Sequence, residues 1–234
     1  MKRCAVLLLV LSGVCTWGVK GVAALENNQN TTASSGGTIM FLGASYVEDW
    51  PIIEVAGKEV VNRGVGGNQS HEMLARMSGL FSKDAPDAVL IWGFINDIFR
   101  ADREKIGETL RSARENFEKM VSLARASGVE VILATEVTMS EPERDWKEKL
   151  YAMAAKAMGK TSYQDYINMH VRETNEWLRQ FAAKRSIKVL EFERTLSNGD
   201  GFRKKEFADE DASHLTSAGY DALTLYIRSE LKFQ

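Results

Sequence analysis

Four short stretches of this chain hold residue types that can move a proton or steady an anion. Gly43-Ala44-Ser45-Tyr46 offers a serine hydroxyl, and residues 62–70 (NRGVGGNQS) offer a glycine-rich backbone. Ile95-Asn96-Asp97 offers a side-chain amide, and Asp211-Ala212-Ser213-His214 places an acid three residues before a histidine. A serine becomes a nucleophile when an adjacent base takes its proton. A histidine held at one ring nitrogen by a carboxylate presents the other nitrogen as that base. The Asn96 amide carries two N–H donors for an anion, and Gly64, Gly66 and Gly67 permit a tight turn that exposes backbone N–H groups. Each stretch also has a plainer reading: a helix-capping serine, a glycine-rich turn, an Asx turn, a surface ion pair. Together they supply nucleophile, base, orienting carboxylate and anion donors, which is the equipment of acyl transfer.

Other chemistries fit less well. Gly64 and Gly66 match the start of a dinucleotide-binding G-x-G-x-x-G, but Gln69 stands where the third glycine belongs. His71-Glu72 opens an H-E-x-x-H zinc motif that Ala75 breaks, and His170 stands at no ligand-like spacing. The serine signature G-x-S-x-G is absent, since Val47 occupies its last position. With three histidines in the chain and both cysteines, Cys4 and Cys15, near the N-terminus, neither a metal nor another cofactor is expected.

These residues need a scaffold that brings them together. Short Val-, Ile- and Leu-rich runs predict strands over Thr38–Ala44, Lys58–Asn62, Asp87–Trp92, Val129–Thr135 and Ile187–Phe192. Apolar residues at helical spacing lie between them. Met73, Leu74, Met77, Leu80 and Phe81 mark one face, and Ile106, Leu110, Ala113, Phe117, Met120, Val121 and Ala124 a longer one, with Asp102 placed to cap it and Gly128 to stop it. Ile167, Val171, Thr174, Leu178 and Phe181 mark a third, and Leu223, Tyr226, Ile227 and Leu231 the last. Alternating strands and helices predict an α/β domain with a parallel sheet, whose ligands sit at the carboxyl ends of the strands. The four stretches fall at such ends or just before the last helix. Between Glu136 and His170 lies the longest connection; its Trp146, Met153, Met158 and Tyr163 suit either an acyl or sugar pocket or a core or helix face.

The 234 residues suit one domain preceded by a targeting segment. Residues 1–24 read as an export signal, with Lys2 and Arg3, the apolar run Ala5–Leu11, and small residues at Val22-Ala23-Ala24. An uncleaved anchor is the alternative, and a lipoprotein fits poorly because Val14 precedes Cys15. Residues 25–37 are polar and read as a flexible linker, leaving 38–234 as the folded domain. Cleavage removes Lys2, Arg3 and Lys20 and no acid, taking the net charge from −2 to −5. An exported, mildly acidic chain without a basic stripe is a poor partner for nucleic acid. No apolar run is long enough for a membrane span once the signal is cleaved.

Order and content resemble the SGNH hydrolases, a branch of the GDSL esterases and lipases, from Thr38 to about Tyr226. FLGAS resembles the first block of that family, NRGVGGNQS the second, Ile95-Asn96-Asp97 the third, and DASHLTSAGY the fifth with the helix that follows. The resemblance implies a three-layer α/β/α sandwich around a five-stranded, mainly parallel, flavodoxin-like sheet. It implies Ser45 as nucleophile, His214 as base and Asp211 as its orienting acid. It also implies an oxyanion hole made by the Ser45 and Gly67 backbone N–H groups and the Asn96 amide, with Asp97 structural. The substrate would be a small-molecule, lipid or carbohydrate ester. Two departures stand out: Ala44 replaces the aspartate of G-D-S, and Phe94 stands where the third block has glycine, with Gly93 one residue earlier. A catalytically weakened glycan- or lipid-binding module on the same fold is the competing expectation.

Overall fold

The computed structural model describes residues 36–77, 79–81 and 85–233. The expected export signal and most of the linker lie outside the described residues. The chain runs β1 (Thr38–Gly43), α1 (Ser45–Glu48), β2 (Glu54–Val55), β3 (Lys58–Gly64), α2 (Ser70–Met77), β4 (Ala88–Trp92), α3 (Ile95–Phe99), α4 (Ile106–Ala126), β5 (Glu130–Ala134), α5 (Trp146–Ala157), α6 (Tyr163–Ala183), β6 (Lys188–Leu190), α7 (Phe192–Leu196) and α8 (Ser217–Glu230).

The sheet order is β2-β3-β1-β4-β5-β6. All neighbours are parallel except β2, which pairs antiparallel with β3 through Glu54↔Glu59 and Val55↔Lys58. Without β2 the order is the flavodoxin-like one. The sheet thus has six strands where five were expected; β2, two residues long, gives no readable alternation. The central strands are buried on both faces: Ile39, Phe41 and Leu42 of β1 and Val89, Leu90 and Ile91 of β4 are fully inaccessible, as their unbroken apolar runs require.

Helix α4 buries Leu110, Ala113, Phe117, Met120, Val121 and Ala124, and α6 buries Ile167, Val171, Thr174, Leu178 and Phe181. Asp102 does not cap α4. It precedes a 3₁₀ turn, Arg103–Lys105, makes no side-chain cap bond, and leaves Lys105 at the cap position. Gly128, at φ 74°, follows the end of α4 in the left-handed conformation that a stop needs. An aromatic cluster ties the sheet to the C-terminal helices: Trp50 meets Phe41 (5.4 Å) and Trp92 (5.8 Å), and Trp92 meets Phe192 (4.8 Å) and, stacked, Tyr46 (5.1 Å).

After β5 the chain stays buried through six residues, Thr135 to Ser140. A buried loop must find partners for its backbone polar groups. Helix α6 supplies them from Asn168 and Asn175, seven residues and so two turns apart on one face. Asn175 Oδ1 accepts from Glu136 N (2.7 Å) while its Nδ2 donates to Glu136 O (2.8 Å). Asn168 grips Met139 N and O in the same way (2.7 and 3.1 Å). Beyond this loop Trp146, Met153, Met158 and Tyr163 are all exposed, so of the core-or-helix-face reading the core half does not apply.

Removing the Asn175 clamp would orphan two buried backbone groups, each costing about 1–3 kcal/mol. Asn175→Leu is expected to lower Tm by roughly 5 °C or more, while Gln180→Ala on the exposed face of the same helix leaves it unchanged; thermal unfolding of the two variants checks this.

Candidate active site

The register sets the height of the site. Gly43 pairs with Gly64 on one side and Trp92 on the other, so β1, β3 and β4 end level and their loops emerge side by side. Ser45 is the first residue of α1, half-buried. The short helix is held at its end by Asn62, whose Nδ2 donates to Val47 O (2.6 Å), and Glu48 Oε2 accepts from Gly66 N (2.9 Å). The second loop turns at Gly67, φ 73°, where a side chain would also crowd Arg100. Arg76 of α2 spans the loops, donating to Asn68 Oδ1 (2.9 Å) and Gly43 O (2.8 Å).

Asn96 lies in the first turn of α3 and reaches across to the second loop, where its Nδ2 donates to Asn68 O (3.0 Å). The backbone turn that admits it is made at Gly93, φ 141°, while Phe94 keeps a negative φ of −147°. Phe94 is buried and packs edge-on against Phe117 of α4 (6.0 Å). The unusual conformation therefore falls one residue earlier than the family pattern has its glycine, and the phenyl ring fills the core. Asp97 is buried and accepts from Ser70 N (2.9 Å) and Ser70 Oγ (2.7 Å), fastening the start of α2 to α3. Burial pushes its carboxyl up, and the two Ser70 bonds only partly oppose this.

Asp211 and His214 are brought together. The His214 ring nitrogen Nδ1 bonds Asp211 Oδ2, while Asp211 Oδ1 accepts from the backbone of Ser213 and His214 (2.8 Å each). Partial burial raises the acid, but donation from the His214 backbone and ring and the Ser213 backbone outweighs it and holds the carboxyl at about 2. Asp211 is thus ionised across neutral pH and accepts only, so Nδ1 carries the proton it shares with the carboxylate. Both side chains are about half exposed, 49% and 46%.

Two buried side chains support this turn. Arg203, 1% exposed, donates through Nη2 to Ala212 O (2.8 Å) and Ser213 O (2.7 Å). The Tyr46 hydroxyl donates to Ser213 O, and its ring meets the His214 ring edge-on at 6.3 Å. Burial pushes the Tyr46 hydroxyl up to about 12, so it keeps the proton it donates. Tyr46 directly follows Ser45, which makes it the bridge between serine and histidine. Among the described residues no hydrogen bond joins Ser45 to His214 or to Asn96. His71 stands exposed on α2, and His170 packs its ring against Tyr166 on α6 (4.7 Å), away from these groups.

Glu136 is a participant that sequence reasoning missed. It is wholly buried, and its Oε2 accepts from Phe94 N (2.9 Å) and Ile95 N (3.3 Å), gripping the backbone just before Asn96. Burial raises its carboxyl from 4.5 to about 7. Arg203 likewise carried no signal, since arginine is seldom buried.

The cross-linked strand-end loops of this α/β fold carry Ser45, and the Asp211–His214 turn is bonded to the next residue, Tyr46. The chain belongs to the GDSL-like lipase/acylhydrolase family, whose model matches residues 37–222. Membership makes it an esterase- or lipase-type hydrolase that acts on ester bonds. Among solved structures it is similar to a Streptococcus pneumonia protein provisionally described as a platelet activating factor (25% identity, 86% of each chain covered, TM-score 0.64). It also shares its fold with an acetylxylan esterase from Geobacillus stearothermophilus (19% identity, 86% of this chain and 96% of that one, TM-score 0.59). A GDSL-like lipase from Bacteroides thetaiotaomicron is a third such structure (20% identity, 82% and 86%, TM-score 0.57). A search of curated proteins returned no match.

The raised carboxyl of Glu136 sets a pH dependence. The folded chain keeps this proton up to about 7 while the unfolded chain loses it near 4.5. The residue's contribution to stability is therefore complete below about 4.5 and is lost as pH rises through about 7. Glu136→Gln has no proton to lose. Its Tm deficit against the natural protein is expected to shrink between about pH 5 and about pH 8; an unchanged deficit would show that this ionisation is not coupled to folding.

Proposed function

We propose that this protein is an exported serine esterase cleaving carboxylic acyl or acetyl esters through Ser45, His214 and Asp211. The observation that supports this most is the engaged Asp211–His214 pair, in a turn bonded to Tyr46, the residue next to Ser45. Ser45 Oγ attacks the ester carbonyl carbon as His214 Nε2 takes its proton. Asp211 holds the ring in the required tautomer and steadies the imidazolium that forms. The tetrahedral oxyanion is met by the Ser45 and Gly67 backbone N–H groups and by Asn96. One Asn96 N–H is engaged with Asn68 O, which fixes the side chain and leaves the second N–H for the oxyanion. The intermediate collapses as His214 returns the proton to the leaving alcohol. Water then attacks the acyl carbonyl as His214 takes its proton, and His214 passes that proton to Ser45 Oγ as the acid leaves. An open cleft of about 650 Å³ beside Asp211, bordered by Ser140, Glu141, Glu143, Lys205 and Glu210, can take part of the substrate.

Ser45→Ala and His214→Ala are each expected to lower p-nitrophenyl acetate turnover by several orders of magnitude with Tm unchanged, because triad members act as a unit. Asn96→Ala should reduce kcat about 10²–10³-fold with little change in KM. A folded Ser45→Ala protein with near-normal turnover would remove the proposal. A raised KM at constant kcat would make Asn96 a loop-closing residue.

Residues 1–24 are proposed as the export signal and 25–37 as the tether. N-terminal sequencing of protein from its native host is expected to start near Leu25; an intact Met1 on cytoplasmic protein would count against export.

A further inference from the structure

Helix α5 presents its apolar residues the wrong way round for a helix that serves a core. Trp146, Leu150, Met153 and Ala157 recur at intervals of four, three and four, which puts them on one stripe. Trp146 is 71% exposed, Leu150 61% and Met153 69%. At ~100° per residue the half-buried positions, Ala152 and Ala155, fall on the opposite side. The helix thus packs on the body through alanines and turns its bulk outward. Tyr151 and Met158 are exposed as well. An apolar surface of this kind on an otherwise polar protein marks a place of contact.

Charge says what is contacted. Lys147 lies along one edge of the stripe, its ammonium 5.5 Å from the Trp146 ring centre, and the helical register places residues 149 and 156, both lysines, along the other. From 146 to 160 there are four lysines against one acid, Glu148, in a chain whose net charge is −2. A two-fold pairing of this helix with a second copy would set like charges against like. An apolar stripe edged by lysines and carrying an outward tryptophan suits the boundary between lipid headgroups and acyl chains, where the stripe enters and the ammonium groups stay with anionic heads. We propose that α5 docks the protein peripherally on an anionic lipid surface. No helix among the described residues is long and apolar enough to cross a membrane, and α5, twelve residues long, would lie flat. Met153 and Glu141 border one cleft, and Glu141 also borders the cleft beside Asp211, so docking brings the rim of the candidate site close to the lipid. The inference is independent of the ester chemistry, because binding is read without turnover.

The test is sedimentation of the full chain with vesicles of phosphatidylcholine alone and with about 30% phosphatidylglycerol, at about 0.1 M and about 0.5 M salt. The natural protein is expected to bind the anionic vesicles, more weakly at the higher salt. The triple variant Trp146→Ser, Leu150→Ser, Met153→Ser should bind them at least about tenfold more weakly, with unchanged Tm because these side chains support no core. Lys147→Glu combined with Lys149→Glu should weaken binding to anionic vesicles and leave binding to phosphatidylcholine alone as it was. Vesicle binding undiminished in the triple variant, or no binding by the natural protein, would overturn the proposal. So would a natural dimer that the triple variant converts to monomer, which would assign the face to a second copy.

Discussion

Gly43 is hydrogen-bonded in register between Gly64 and Trp92, and this equal termination of three adjacent parallel strands governs everything above it. A strand one residue longer would lift its loop by about 3.3 Å, more than a hydrogen bond can span. Because the strands stop together, Glu48 can reach Gly66, Arg76 can join Asn68 to Gly43, and Asn96 can close on Asn68. The sheet contributes height, and its apolar burial makes that height rigid.

Rigidity near the top comes from polar side chains placed where water is absent. Glu136, Asp97, Asn168, Asn175 and Arg203 are all buried, and each holds backbone belonging to a different segment. Such groups are costly to desolvate unless they are bonded, so they favour one arrangement of the loops over its neighbours. The raised carboxyls of Asp97 and Glu136 show that cost directly: burial works against their charge even while several N–H groups reward it. Arg203 bears it too, with Nε and Nη1 unpartnered and two carbonyls satisfied by Nη2.

What could be read in advance follows the range of the forces involved. The apolar runs of β1, β4 and β5 and the 3.6-residue faces of α4 and α6 are local patterns, and they stand where periodicity puts them. The Asp211–His214 pairing also depends on nearby residues, being three positions apart. Glu136 is different. A glutamate after a strand reads as surface, and its burial depends on Asn175, 39 residues later. The strand β2 and helices α1, α3 and α7 are too short for periodicity to show. Helix α5 is harder for another reason: its spacing is that of a packed helix, and a sequence pattern does not say which side of a stripe meets protein. Phe94 shows a departure absorbed by its surroundings, since Gly93 takes the strained backbone and Phe117 takes the ring.

Tyr46 links two parts of the site through one side chain. It follows Ser45 in the chain, and its hydroxyl is bonded to Ser213 O, the carbonyl just before His214. A shift of the loop that carries the histidine therefore pulls on the residue next to the serine, and a shift of α1 pulls on the loop. The bond opposes independent displacement of the two. A loop half open to solvent is in this way tethered to the end of the first strand by a side chain buried beneath it.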